Sequence, residues 1–98
     1  MLHACALTID LRIPDSRSLK AKRGTVKHLV EACRSRFAVA AAEVGFQEHW
    51  QRSELGFAAV SGSPGMVESV LDAVERFVWS HPDVEVVATS RDWLESDR

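Results

Sequence analysis

Between residues 43 and 54 the chain gathers Glu43, Gln47, Glu48, His49, Trp50, Arg52 and Glu54. Carboxylates beside a histidine are the raw material of general acid-base catalysis, which needs a suitably titrating group within reach of the reacting atom. Nothing nearby completes such a machine. There is no nucleophile paired with a base, no glycine loop to cradle a phosphate, and no second metal ligand at helical spacing from His49. The simpler reading places Arg52 between Glu43 and Glu54 across a hairpin, where it relieves their repulsion. We therefore expect no catalytic residue, no metal and no cofactor. Trp50 stands apart, because a large ring in a polar loop either folds back as a lid or anchors a partner; Gln47, Trp50 and Arg52 are the candidate protein-interface residues.

Positive charge suggests a second chemistry. The formal net charge of the 98 residues is only −2, but residues 1–36 hold eight Lys and Arg against three Asp and Glu, a local charge of +5. Residues 37–98 hold four Arg against eleven acids, a local charge of −7. Cations concentrated in one element can present an anion-binding surface even on a near-neutral protein. Arg12, Arg17, Lys20, Lys22, Arg23, Lys27, Arg34 and Arg36 are the candidate nucleic-acid-binding residues, with solvation of the helix as the plainer alternative. Cys5 and Cys33 lack C-x-x-C spacing and fall on apolar faces, which predicts buried reduced thiols.

These side chains must be positioned by a regular frame. Cys5, Leu7, Ile9, Leu11 and Ile13 alternate with Ala6, Thr8, Asp10 and Arg12, which predicts a half-buried strand ended by Pro14. Ser18 is a suitable helix N-cap. Beyond it Leu19, Val26, Leu29, Val30, Cys33 and Phe37 form an apolar stripe, with Lys20, Arg23, Lys27 and Arg34 on an adjacent one. Gly24 inside this helix implies either tight packing or local weakness. Residues 38–44 predict a second strand and 54–61 a third, joined by a connection over 45–53 that is long for a hairpin. Met66, Val67, Val70, Leu71, Val74, Phe77 and Val78 mark a second amphipathic helix, residues 84–90 a last strand, and 91–98 a charged tail around Trp93. The order predicts an α+β fold, a ferredoxin-like βαββαβ two-layer sandwich with both helices on one face of an antiparallel sheet, over a single domain 1–98. At 46% hydrophobic residues the chain can fill such a core. Its apolar runs fall far short of the roughly 18 residues of a membrane span, and its start lacks the pattern of a secretory signal, so a cytoplasmic location is expected.

Several of these segments resemble a known family. Ile9-Asp10-Leu11-Arg12-Ile13-Pro14, Ser18-Leu19-Lys20-x-Lys22-Arg23 with Lys27, and Arg34-x-Arg36-Phe37-x-Val39 follow one another. Ala42-Glu43-Val44-Gly45-x-Gln47 and Trp50-Gln51-Arg52-x-Glu54-x-Gly56 complete the series. In order and spacing they resemble the bacterial YlxP-like family over residues 9–61, while the remainder is similar in pattern. Gly24 departs from it, standing where the family tends to have a larger residue. The resemblance implies a ferredoxin-like domain of unknown function. The family's genes commonly lie beside those for ribosome-binding factor A and a translation initiation factor, which implies a role near small-subunit assembly or translation.

Three function classes then compete. The first is a non-enzymatic ribosome- or RNA-associated binding protein that contacts phosphates through its first helix, with ribosomal RNA or the small subunit as partner. The second is a homodimeric interaction or small-molecule regulatory module using the Ala-rich open sheet face and the loop bearing Trp50. Sheet-face RNA recognition is disfavoured, since Leu55 stands where Lys or Arg should precede Gly56-Phe57 and the first strand offers no aromatic. An acylphosphatase-like enzyme would need an arginine-bearing glycine loop, which Pro14-Asp15-Ser16-Arg17 does not provide.

Overall fold

In the computed structural model, which describes residues 1–94, strand β1 spans His3–Arg12 and helix α1 spans Leu19–Arg36. Alternation in β1 is realised as written: Cys5, Leu7, Ile9 and Leu11 are buried, and Ile13 beyond the strand is buried too. Ser18 caps α1, its Oγ accepting from the Ala21 N–H at 3.0 Å. The helix runs through Gly24 without interruption. A Cβ there would meet nothing within 4 Å, so tight packing is not the reason for the glycine.

Strand β2 (Ala40–Gly45) starts later than the pattern suggests, because Val39 N–H bonds Phe37 O in a tight turn after the helix. Strand β3 (Arg52–Ser61) starts earlier, so the connection narrows to residues 46–51. Helix α2 (Pro64–Trp79) opens with proline at its first position, where the missing N–H costs nothing. Strand β4 (Glu85–Trp93) runs past the expected end at Ser90. Arg91 holds it there, reaching Asp72 of α2 at 2.7 Å and Glu75 at 3.4 Å. The expected tail thus contributes residues 91–93 to the sheet, and its last residues, 95–98, lie outside the described region.

The sheet is antiparallel throughout, in the order β2-β3-β1-β4, with the long β1 and β3 paired in the centre from His3↔Ser61 to Arg12↔Arg52. Both helices pack on one face, so the architecture is the expected ferredoxin-like βαββαβ sandwich. Between the layers lie Val26, Leu29 and Cys33 of α1, Val67, Leu71, Val74 and Val78 of α2, and Leu55, Phe57 and Ala59 of β3. Cys5 and Cys33 are free thiols within this core. Burial raises both, the Cys33 thiol to about 11, because the thiolate would have to be desolvated. No helix among the described residues is long and apolar enough to cross a membrane.

Candidate nucleic-acid interface

The turn between β2 and β3 is fastened from three sides. Lys22 of α1 is completely buried; its Nζ donates to Phe46 O at 2.8 Å and Gln47 O at 3.3 Å, and lies 2.6 Å from Glu43 Oε2 in an ion pair. Glu43 also accepts from the Ser53 hydroxyl at 2.6 Å. The ammonium is therefore occupied by two carbonyls and a carboxylate, and the carboxylate ties α1 to the start of β3. The second fastening is Gln51, whose Nε2 donates to Pro14 O and Ser16 O of the β1-α1 loop while its own carbonyl accepts from Ile13 N–H. The third is internal: His49 N–H bonds Phe46 O, and Gln51 N–H bonds His49 Nδ1. Phe46 takes φ 57°, a left-handed conformation uncommon for a side chain of this size, and Lys22 grips its carbonyl.

Lys22 thus leaves the set of candidate phosphate contacts: a buried ammonium with three acceptors has nothing to offer a ligand. A sequence signal existed. Leu19, Lys22, Val26, Leu29 and Cys33 recur at steps of three and four residues, which puts Lys22 in the middle of the apolar stripe. Its acceptor Glu43 follows Ala41 on the core-facing side of β2.

The other cations separate into groups. Lys20, Arg23 and Lys27 are exposed on one ridge of α1, with Arg17 exposed on the loop before it. Arg23 meets only Glu48, at 4.0 Å, with 61% and 85% of the two side chains exposed, a pair that water and salt screen. Glu31 shares the ridge and lowers its charge towards the C-terminal half. There Arg34 donates to the Ala41 carbonyl on the outer edge of β2, and Arg36 lies 4.9 Å over the Phe77 ring. Arg12 lies on the opposite side of the molecule, in the open sheet face.

Arg52 does not bridge Glu43 and Glu54. Glu43 faces the helices and Arg52 the open side, because residues of opposite parity point to opposite faces. Arg52 instead donates to both oxygens of Asp10, at 2.9 and 3.0 Å, beside the like-charged cross-strand pair Asp10↔Glu54. The Phe46 ring lies 4.5 Å from its guanidinium, a cation–π contact. Of the three expected interface residues, Gln47 is exposed and gives its carbonyl to Lys22, and Arg52 serves the sheet. Trp50 is 56% exposed in a small cleft lined by Glu48, His49 and Gln51.

The open sheet face carries a shallow trough of small side chains, Ala6, Thr8, Ala40, Ala42, Val44, Gly56 and Ala58. Gly56 is required by its neighbour, since a Cβ there would lie 2.9 Å from Val44 Cγ1. Phe57 turns into the core, so β1 and β3 offer no aromatic on this face for stacking bases. Among the described residues no three His, Cys, Asp or Glu side chains come together as a metal site.

Comparison with known proteins identifies the family. The family described as "Protein of unknown function (DUF503)" matches residues 4–91. A relative named "Uncharacterized protein YlxP", from Bacillus subtilis (strain 168), is 38% identical over 82 residues, covering 84% of this chain and 89% of its own length. The family match takes in both helices and all four strands except His3 of β1 and residues 92–93 of β4, so the chain belongs to the DUF503 family of YlxP-like proteins.

Proposed function

We propose that the protein is a non-enzymatic, cytoplasmic binding protein that contacts the phosphates of RNA, with ribosomal RNA of the small subunit as its partner. The observation that carries this reading is the ridge of Lys20, Arg23 and Lys27. Their side chains project from one face of α1, and the single ion pair among them, Arg23 with Glu48 at 4.0 Å, is exposed and screened. Seven residues of helix span about 10 Å at ~1.5 Å per residue, enough to meet successive phosphates of a strand. Phosphate contact needs charge and reach, not base reading, which suits a helix with no side chain placed to read base edges.

The test is co-sedimentation with small ribosomal subunits at low and physiological salt, using the parent and the variant with Lys20→Glu, Arg23→Glu and Lys27→Glu together. The variant keeps the buried stripe and Lys22, so it should fold. It should lose most of its binding, and the dependence of log affinity on log salt should flatten by about 2 to 3, at roughly 0.7 to 0.9 per lost contact. Equal binding by the folded variant at both salt concentrations removes this reading.

A second reading rests on the Ala-lined trough. Strands of 10, 6, 10 and 9 residues, at about 4.8 Å spacing and about 3.4 Å per residue, give a face of roughly 570 Å², so two copies packed face to face would bury about 1,100 Å². That clears the roughly 1,000 Å² expected of a specific interface, with the β2-β3 turn at its rim. Light scattering at micromolar concentration tests it, and a monomer at every concentration would exclude the dimer.

A further inference from the structure

We propose that Trp50 is a stacking platform for an unpaired base, so that the RNA taken by this protein is single-stranded at the point of contact. The inference rests on the phosphate-binding reading of α1 and goes beyond it by naming the form of the nucleic acid and a second contact.

Three observations converge. Trp50 is 56% exposed; Trp79 is as open at 61%, but it shares its cleft with Asp72 and Glu75, whose charge opposes a phosphate. The Trp50 turn is held by Lys22, Gln51 and Ile13, so the ring is presented from a fixed support and loses little freedom on binding. The turn also lies near the cations: Glu48, two residues before Trp50, comes within 4.0 Å of Arg23 of the ridge, and Gln51, directly after it, is bonded to the loop that carries Arg17. The turn that carries the ring therefore adjoins the ridge through Glu48 and the loop of Arg17 through Gln51. An aromatic platform beside a cationic track is the combination that binds single strands without sequence preference, because every base has a π-face and every nucleotide a phosphate. A duplex, with its bases stacked internally, could use the track but not the platform.

Glu48 sharpens the inference. At 4.0 Å from Arg23 it is the carboxylate nearest that guanidinium, and its charge opposes an arriving phosphate. Glu48→Gln should therefore tighten single-strand binding and steepen the salt dependence by about 0.7, as one more counterion is released.

The experiment uses the full chain with a fluorescein-labelled twelve-nucleotide oligouridylate and a twelve-base-pair RNA duplex, each titrated at several salt concentrations. Trp50→Ala should weaken the single strand about 10-fold or more, in line with loss of one stacked base, leave the salt slope unchanged, and leave the duplex unaffected. Trp50→Phe should recover most of the loss. In a background with Trp79→Phe and Trp93→Phe, emission from Trp50 should be quenched as the oligouridylate binds. If the parent binds RNA with the salt dependence of the ridge but Trp50→Ala binds the single strand equally well, the platform is refuted while the phosphate reading stands. A Trp50→Ala variant that changes oligomeric state with unaltered RNA affinity assigns the ring to a protein contact and also overturns the platform. Absence of RNA binding by the parent even at low salt defeats both proposals.

Discussion

Lys22→Met separates a structural lysine from the neighbours that we propose bind phosphate. The parent side chain is completely buried and makes three polar contacts, the shortest at 2.6 Å to Glu43. Methionine retains the length and most of the packing of the stem but removes the charge. Glu43, only 16% exposed, is left with Ser53 as its sole hydrogen-bond donor, and the carbonyls of Phe46 and Gln47 lose theirs. Removing one partner of a buried pair costs about 3–5 kcal/mol, chiefly because the other charge is left uncompensated. Against a total stability of about 5–15 kcal/mol for a domain, that is a large fraction.

Urea unfolding followed by circular dichroism measures the loss. A double-mutant cycle assigns its cause: Glu43→Leu added to Lys22→Met removes the stranded carboxylate and should recover part of the stability, with non-additivity of about 1–3 kcal/mol. Amide exchange should also quicken in the 46–51 turn, whose carbonyls Lys22 holds. The salt dependence of RNA binding should not change, in contrast to variants of Lys20, Arg23 and Lys27. A cost below about 1 kcal/mol, or strictly additive single effects, would refute the assignment of Lys22 as the keystone of the turn.

Gly24→Ala should stabilise the protein by up to about 1 kcal/mol, because the site is open and alanine is the better helix former; a lower urea midpoint would count against it. Trp50→Ala should shift that midpoint little, whereas the roughly 3–5 kcal/mol lost with a core aromatic would show the ring to be a packing residue. Cys33 predicts a pH window. Its thiol is raised from 9.0 to about 11 in the folded state, so folding favours the protonated form. Stability is complete below pH 9 and falls as pH rises towards 11, by about 2–3 kcal/mol relative to a Cys33→Ala reference. Unfolding at pH 8 and pH 10.5 measures it, and a parent whose pH dependence matches that of the reference would contradict the burial argument.

The frame was legible because it follows from local rules. Strict alternation in residues 5–13 gave the buried face of β1, and Ser18 ahead of a 3.6-residue pattern gave the start of α1. Proline at 64 agrees with the start of α2, two residues before the first apolar position of its stripe. What stayed hidden depends on partners distant in sequence. Arg52 and Ser53 look like loop residues, and they belong to β3 because Asp10, 42 residues away, and Glu43 receive their side chains. Likewise Arg91 and Asp92 look like a charged tail, yet the reach of Arg91 to Asp72 and Glu75 keeps them in the sheet. Ion pairs across the fold are invisible to periodicity, which reads neighbours along the chain and not across it.

Lys20-x-Lys22 shows how such a partner reassigns a residue. Positions two apart on a helix point about 200° apart, so one lysine of the motif must face away from the other. Lys20 faces solvent, and Lys22 faces inward among Val26, Leu29 and Cys33. A charge in that stripe would ordinarily be expelled. It is retained because β2 places Glu43 opposite it and the turn bends two carbonyls towards it. The same helix thereby carries the exposed ridge on one side and anchors the Trp50 turn from the other. The spacing between ridge and ring is then a property of the packed core, and on our proposal a strand crossing both would meet a preset geometry. Lengthening the turn by two glycines after Glu48 should break that geometry, lowering single-strand affinity by about the same factor as Trp50→Ala while leaving the ridge's salt slope intact. A lengthened turn that binds as tightly as the parent would show that ring and ridge act independently.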